Sequence, residues 1–276
     1  MSAIFDLFRE HKKQPHRLPA WQSDLNATKG YGVVNHWWRS SDDENKRGLD
    51  AMADAGCNRY KIEFLGAART RVWENIPMLV QDFRALYRLT YERRIVLDAT
   101  IANWNMGGGG VPENGDISIC ESRFNDAWFV ELMDEIKGVG VEGISLCAAS
   151  EWGPSSRNSQ CWPRADLWNH RLDQNWPGMK TWNRESRPTS APPGFGIEYH
   201  PDSTNDVGPA NSLVVTDTSG ILRQLCQGGD IRAPFDPTKA AAYVRKVRSA
   251  GRGCVLYGFG HVAYDFDTIA ALKDVP

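Results

Sequence analysis

This sequence has no apolar run long enough to cross a membrane, and none near its start that would serve as a secretory signal. Acidic residues break the opening segment Met1-Ser-Ala-Ile-Phe-Asp-Leu-Phe-Arg-Glu early. The expectation is no membrane partner and a cytoplasmic protein, or one released without a signal peptide, as a virus-encoded product would be. Charge of one sign is lacking too: 32 Lys and Arg stand against 34 Asp and Glu, a formal net charge of −2. That balance gives no general attraction to nucleic acid. The densest basic group (Lys239, Arg245, Lys246, Arg248 and Arg252) reads as the solvated face of one helix. Cysteine is sparse and unpatterned. Cys57, Cys120, Cys147, Cys161, Cys226 and Cys254 include no C-x-x-C or other metal-ligand spacing. Cys57, Cys147 and Cys254 lie in or beside apolar runs, where a thiol acts as a small hydrophobe. The run Gly107–Gly110 is followed by neither Lys-Ser/Thr nor a helix, so it is no phosphate cradle. No cofactor and no metal is expected, and the oligomeric state is left open.

What the chain does have is tryptophan: 11 residues, with Trp37, Trp38, Trp104, Trp152, Trp162, Trp176 and Trp182 beside Gly, Asn or Pro in loop-like stretches. Such Trp residues suit stacking on sugar rings or lining an apolar pocket. After a polar arm over 1–28, strand-like and helix-like segments alternate through 29–276. Strands are expected at 30–34, 58–64, 94–101, 141–149, 195–199, 212–216 and 254–259, with a fifth in chain order near Met179 to Trp182. Helices are expected at 42–55, capped by Asp42 or Asp43 and closed by Gly56, at 75–92, 122–137 and 237–249, and at 266–273. This alternation predicts parallel βαβ units. The fold class expected is α/β, a single-domain (β/α)8 TIM barrel with a long loop insertion after strand 4. Its length suits one such barrel, which takes about 250 residues. A doubly wound open sheet is the rival, and the lack of a Gly-rich nucleotide turn after the first strand speaks against it.

The strand ends carry, in order, Gly32-Val-Val-Asn35-His36-Trp37-Trp38, then Asn58-Arg59-Tyr60-Lys61-Ile62, then Ile95-Val-Leu-Asp98 followed by Asn103 and Trp104. Next come Ser150-Glu151-Trp152, Glu198-Tyr199-His200-Pro201, Leu213-Val-Val-Thr216-Asp217 and Val255-Leu-Tyr257-Gly-Phe259. This series, over roughly residues 30–260, resembles the retaining glycoside hydrolases of clan A, the family-five cellulases and mannanases. The resemblance implies hydrolysis of a β-linked polysaccharide or oligosaccharide, with Glu151 as general acid/base. Asp217 stands where that family has its nucleophilic Glu, Ser150 where it has Asn, and Lys61 where it has Arg.

The chemistry needs two carboxyl groups across the scissile bond, about 5–5.5 Å apart for retention and about 6.5–9.5 Å for inversion. Glu151 leaves the buried strand ending at Ser150 beside the Trp152 indole, surroundings that favour a protonated acid. Asp217 would be the nucleophile or the base that activates water. Its structural alternative is to cap a helix beginning near Gly220. Glu198 is the reserve second carboxylate, and strand alternation puts it on one face with His200 while Tyr199 takes the other. Asn35, His36, Lys61, Glu63, Asn103, Trp104 and Tyr257 are candidates to hold the sugar, with Trp37, Trp38, Trp152 and Trp182 as platforms. Lys61 and Glu63 could equally serve in structural ion pairs. Two other functions stay in view. One is a non-catalytic carbohydrate-binding barrel, such as an adhesin or virion component. The other is a metal-dependent sugar-processing barrel, which the scarcity of strand-end His disfavours.

Overall fold

The computed structural model describes residues 26–33, 41–63, 76–101, 126–139, 143–146, 171, 175, 180–185, 195–259 and 262–276. Strands β1 (Lys29–Val33), β2 (Arg59–Glu63), β3 (Val96–Ile101) and β4 (Gly143–Leu146) are followed by β5 (Lys180–Glu185), β6 (Phe195–Tyr199), β7 (Ser212–Val215) and β8 (Gly253–Gly258). They pair in chain order, all parallel, and β8 returns to β1 with Tyr31 opposite Leu256, which closes the barrel. The fifth strand thus falls where the sequence placed it, and Trp182, read there as a loop residue as well, lies within β5. Described helices follow β1 (α1, Asp42–Asp54), β2 (α2, Ile76–Glu92), β3 (α3, Asp126–Val139), β7 (α4, Ser219–Leu225, then α5, Pro237–Ser249) and β8 (α6, Phe266–Ala271). No helix among the described residues is long and apolar enough to cross a membrane.

Helix ends follow local chemistry. The expected cap of α1, Asp42 or Asp43, is instead Ser41, whose hydroxyl accepts from the Glu44 N–H at 3.2 Å. Ser41-Asp-Asp-Glu44 is a capping-box sequence, and the two Asp residues sit in the first turn against the positive end of the helix dipole. Helix α5 starts with Asp236 accepting from the N–H groups of Thr238 and Lys239 at 3.1 Å, and with Pro237 in its first turn. Gly56 and Gly251 reverse the chain after α1 and α5 at φ of 71° and 72°, a conformation that costs a residue with a Cβ.

Alternation sorts the strands into two faces. Tyr31, Tyr60, Ile62, Leu97, Val214, Cys254 and Leu256 point outward and join Leu49, Met52, Leu86, Leu132, Val244, Val247 and Ile269 in the core between barrel and helices. Each such buried aliphatic side chain contributes about 1.5–3 kcal/mol. Leu213, Val215, Val255 and Tyr257 form a separate inner cluster. The inner face of β1 is glycine: a Cβ on Gly30 would meet Val255 Cγ2 at 2.8 Å, and one on Gly32 would meet the Lys61 carbonyl oxygen at 2.2 Å and the Tyr257 ring at 2.8 Å. The two glycines let β8 side chains fill one side of the barrel. The basic group of α5 works on carbonyls as well as in solvent: Lys246 donates to Thr204, and Arg248 donates to Thr28 and Pro276.

Candidate active site

The other side of the interior is charged. Arg59 and Lys61 stand two apart on β2, so both share its inner face, and the Lys61–Asp98 register brings Asp98 of β3 alongside. Asp98 Oδ2 lies 3.2 Å from the Arg59 guanidinium and 3.8 Å from Lys61 Nζ. Lys61 Nζ then reaches across to Glu198 Oε2 on β6 at 2.9 Å, and sits 5.8 Å from the centre of the Tyr257 ring. Glu198 Oε1 is 3.1 Å from His200 Nε2, an ion-pair distance rather than an aligned hydrogen bond. His200 Nδ1 closes the chain on Asp217. All six side chains are buried.

The position of Asp217 is fixed from both flanks. The Thr216 N–H donates to the Val255 carbonyl at 3.3 Å, and its hydroxyl accepts from the Tyr257 N–H at 3.0 Å, so the end of β7 is latched to β8. On the other flank the Thr218 hydroxyl donates to the Pro201 carbonyl at 2.5 Å, which ties the loop after β7 to the loop after β6. Helix α4 takes Thr218 as its N-cap, with no side-chain cap bond. Asp217 therefore does not cap that helix. Its carboxylate turns into the barrel toward His200.

Of the residues singled out in the sequence, the structure brings Lys61, Glu198, His200, Asp217 and Tyr257 together at one end of the interior. Glu198 and His200 share the inner face of β6, as alternation requires. Tyr199 faces the other way: its hydroxyl bonds the Asp206 carboxylate, and the Asp206 carbonyl accepts from Tyr243 of α5 at 2.7 Å. Glu63 ends β2 opposite Thr100, and Trp182 lies opposite Gly196. Asn35, His36, Trp37, Trp38, Asn103, Trp104, Glu151 and Trp152 lie outside the described residues. Two members of the network, Arg59 and Asp98, were not read as site residues from the sequence. Their signal was there: charges at the parity of Lys61 on β2, and one inside the apolar run of β3, have to find partners inside the barrel.

Arg59 and Lys61 bring positive charge to the network, and Asp98, Glu198 and Asp217 negative charge. Strand register adds Arg184 of β5, which pairs with Glu198. Both His200 nitrogens lie beside carboxylate oxygens. Among the described residues, no group of three or more His, Cys, Asp or Glu side chains is placed to hold a metal ion. A hollow of about 540 Å³ along α3, lined by Ala127, Val130, Glu131, Asp134, Glu135 and Arg171, belongs to the outer helical layer and not to this interior.

Fold and site define a class: a closed parallel α/β barrel with an ionic network inside it, running from β2 and β3 to the residues at and beyond the ends of β6 and β7. The sequence matches no protein-family model and no curated protein. Solved structures are similar in fold. The pneumococcal virulence factor StrH, in a study of N-glycan recognition and hydrolysis, aligns with a TM-score of 0.58 at 9% identity, over 93% of this chain and 85% of that one. A β-N-acetylhexosaminidase from Bacteroides fragilis aligns with a TM-score of 0.53 at 13% identity, over 90% of this chain and 66% of that one. An uncharacterized Bacillus cereus protein aligns at 0.49 and 10% identity, and the chain spans 65% of its length. At these identities the likeness is one of fold.

Proposed function

We propose that this chain is a glycoside hydrolase on a complete (β/α)8 barrel, cleaving a β-linked polysaccharide or oligosaccharide with two carboxyl groups in the clan A manner. Glu151, which follows β4 in sequence, is the acid that protonates the departing oxygen. Asp217, leaving β7, is the ionised partner that attacks the anomeric carbon with retention. The observation that carries this reading is the setting of Asp217. It sits at the carboxyl end of a barrel strand, where barrel enzymes keep their chemistry, pinned on both flanks and held against the His200 ring. A nucleophilic carboxylate must be aimed, and the two threonine latches and the His200 contact do that. Trp37, Trp38, Trp152 and Trp182 are the sugar platforms in this reading.

The burial of the Asp217 carboxylate favours one rival, a barrel that binds carbohydrate without cleaving it. The two are separated by wild type, Glu151→Gln and Asp217→Asn on a panel of β-linked polysaccharides. β-N-acetylhexosaminides belong on that panel, because the fold relatives include enzymes named for them. Turnover by wild type that falls at least 10³-fold in either variant supports the hydrolase. Binding by all three with turnover by none supports the rival.

A further inference from the structure

The loop from β6 to β7 (residues 200–211) opens with His200 and returns to the strand that delivers Asp217. Its shape is set from outside the barrel, and Asp206 is the hub. Asp206 Oδ1 accepts from the Gly208 N–H at 3.0 Å, and its carboxylate also accepts from the Tyr199 hydroxyl. The Asp206 carbonyl accepts from the Tyr243 hydroxyl on α5 at 2.7 Å. The bond to Gly208 makes an Asx-type turn, which folds the loop back toward its own start. Gly208, at φ of 75°, then lies against the Tyr199 ring, since a Cβ there would meet Tyr199 Cδ1 at 2.9 Å. Tyr199 is the residue between Glu198 and His200, on the opposite face of β6. A strand end turns as one piece, so a hold on the tyrosine outside is a hold on the two side chains inside. On the other side of His200, the Pro201 carbonyl is tied to the Thr218 hydroxyl. Both sequence neighbours of His200 are therefore held, one by Asp206 and one by the residue after Asp217.

We propose that Asp206, acting through the Tyr199 hydroxyl, is a positioning residue that sets where His200 meets Asp217. The inference rests on the reading of Asp217 as the reactive carboxylate. It gives Tyr199, a candidate sugar contact from the sequence, a different task on the outside of the barrel. The lever is mechanical and asks nothing of the protonation of His200. Tyr199→Phe removes the bond to Asp206 and keeps the volume of the ring, so the end of β6 gains freedom to turn with little change in packing. Reaction geometry is steep in distance: a misplacement of about 1 Å costs on the order of 10²-fold in rate.

The test reads the position of the ring before it reads the reaction. Full-length protein labelled with ¹⁵N-histidine is compared at one pH as wild type, Tyr199→Phe, Asp206→Ala and Gln224→Ala, with His200 assigned from the spectrum of His200→Gln. Gln224→Ala is the control. Its Oε1 accepts from the Thr204 N–H at 3.0 Å and the Thr204 hydroxyl at 2.9 Å, so its loss loosens the same loop and leaves the Tyr199–Asp206 bond in place. The expected result is His200 ring signals displaced in Tyr199→Phe and Asp206→Ala, and at their wild-type positions in Gln224→Ala. Tyr199→Phe carries the test if Asp206→Ala does not fold. Signals unmoved by loss of the hydroxyl, or moved as far in Gln224→Ala, overturn the proposal. On an active enzyme, Tyr199→Phe should lower kcat by about 10- to 100-fold with KM within about twofold, and Gln224→Ala should keep the wild-type rate. Because no substrate enters the spectrum, displaced signals without turnover on any glycan would fault the hydrolase reading alone. Unmoved signals in an active enzyme would fault the positioning role alone.

Discussion

Replacing Lys61 by methionine isolates the link on which the interior depends. The lysine is about 1% exposed, its ammonium bonded to Glu198 at 2.9 Å and 3.8 Å from Asp98. Methionine fills much of the same volume beside the Tyr257 ring, so lost packing is a minor part of the cost. Asp98 keeps Arg59 at 3.2 Å. Glu198 loses the ammonium bonded to its Oε2 inside the barrel. Breaking a buried pair by removing one partner costs about 3–5 kcal/mol. In a chain of this size each kcal/mol shifts Tm by roughly 2–4 °C, so thermal unfolding should come about 6–20 °C earlier. Lys61→Met/Glu198→Gln, which removes both members, should recover most of that loss, because a buried pair replaced as a unit is often nearly neutral. Urea unfolding of wild type, Lys61→Met, Glu198→Gln and the double variant gives the coupling energy, expected at about 1–3 kcal/mol. A loss under about 1 kcal/mol in the single variant, or a double variant no better than the worse single one, would refute the reasoning that the buried Lys61–Glu198 pair holds the interior.

Three further outcomes are expected. Gly32→Ala should cost about 3 kcal/mol or more by urea unfolding, since its Cβ would sit 2.2 Å from the Lys61 carbonyl oxygen and must push β1 away from β2. Stability should fall as pH rises from 9 toward 12. Burial pushes the Cys57 and Cys254 thiols up to about 12, so the unfolded chain gives up those protons first and gains as pH rises. Cys254→Ala should flatten that decline by about 1.4 kcal/mol per pH unit within the window, and an unchanged slope would count against the thiol. Ser41→Ala should cost about 1 kcal/mol through loss of the α1 cap, read by thermal unfolding.

The strand order was legible because a parallel barrel needs buried apolar strands, and Ile95-Val-Leu, Leu213-Val-Val and Cys254-Val-Leu announce them. Gly56 and Gly251 marked helix ends for a steric reason that any sequence displays. The cap of α1 was misplaced by one residue because three acceptors follow one another at 41–43, and only the Ser41–Glu44 spacing separates them. The site was half legible. Alternation alone put Glu198 and His200 on one face and Tyr199 on the other. It could not say which partner each charge would take, because Lys61 lies 137 positions from Glu198 in sequence and meets it only when the barrel closes. The glycines at 30 and 32 carried the same information in negative: missing side chains on one inner face are space for Val255 and Tyr257.

The central claim is that Asp217 is the ionised carboxylate of a retaining glycosidase. The most direct measurement is the anomeric configuration of the first product, followed by NMR during early turnover of a β-linked substrate by wild type and Asp217→Asn. The account predicts a β product from wild type and loss of turnover with binding intact in the variant. An α product would make Asp217 a base toward water instead of a nucleophile. Turnover that survives in Asp217→Asn would contradict the claim outright.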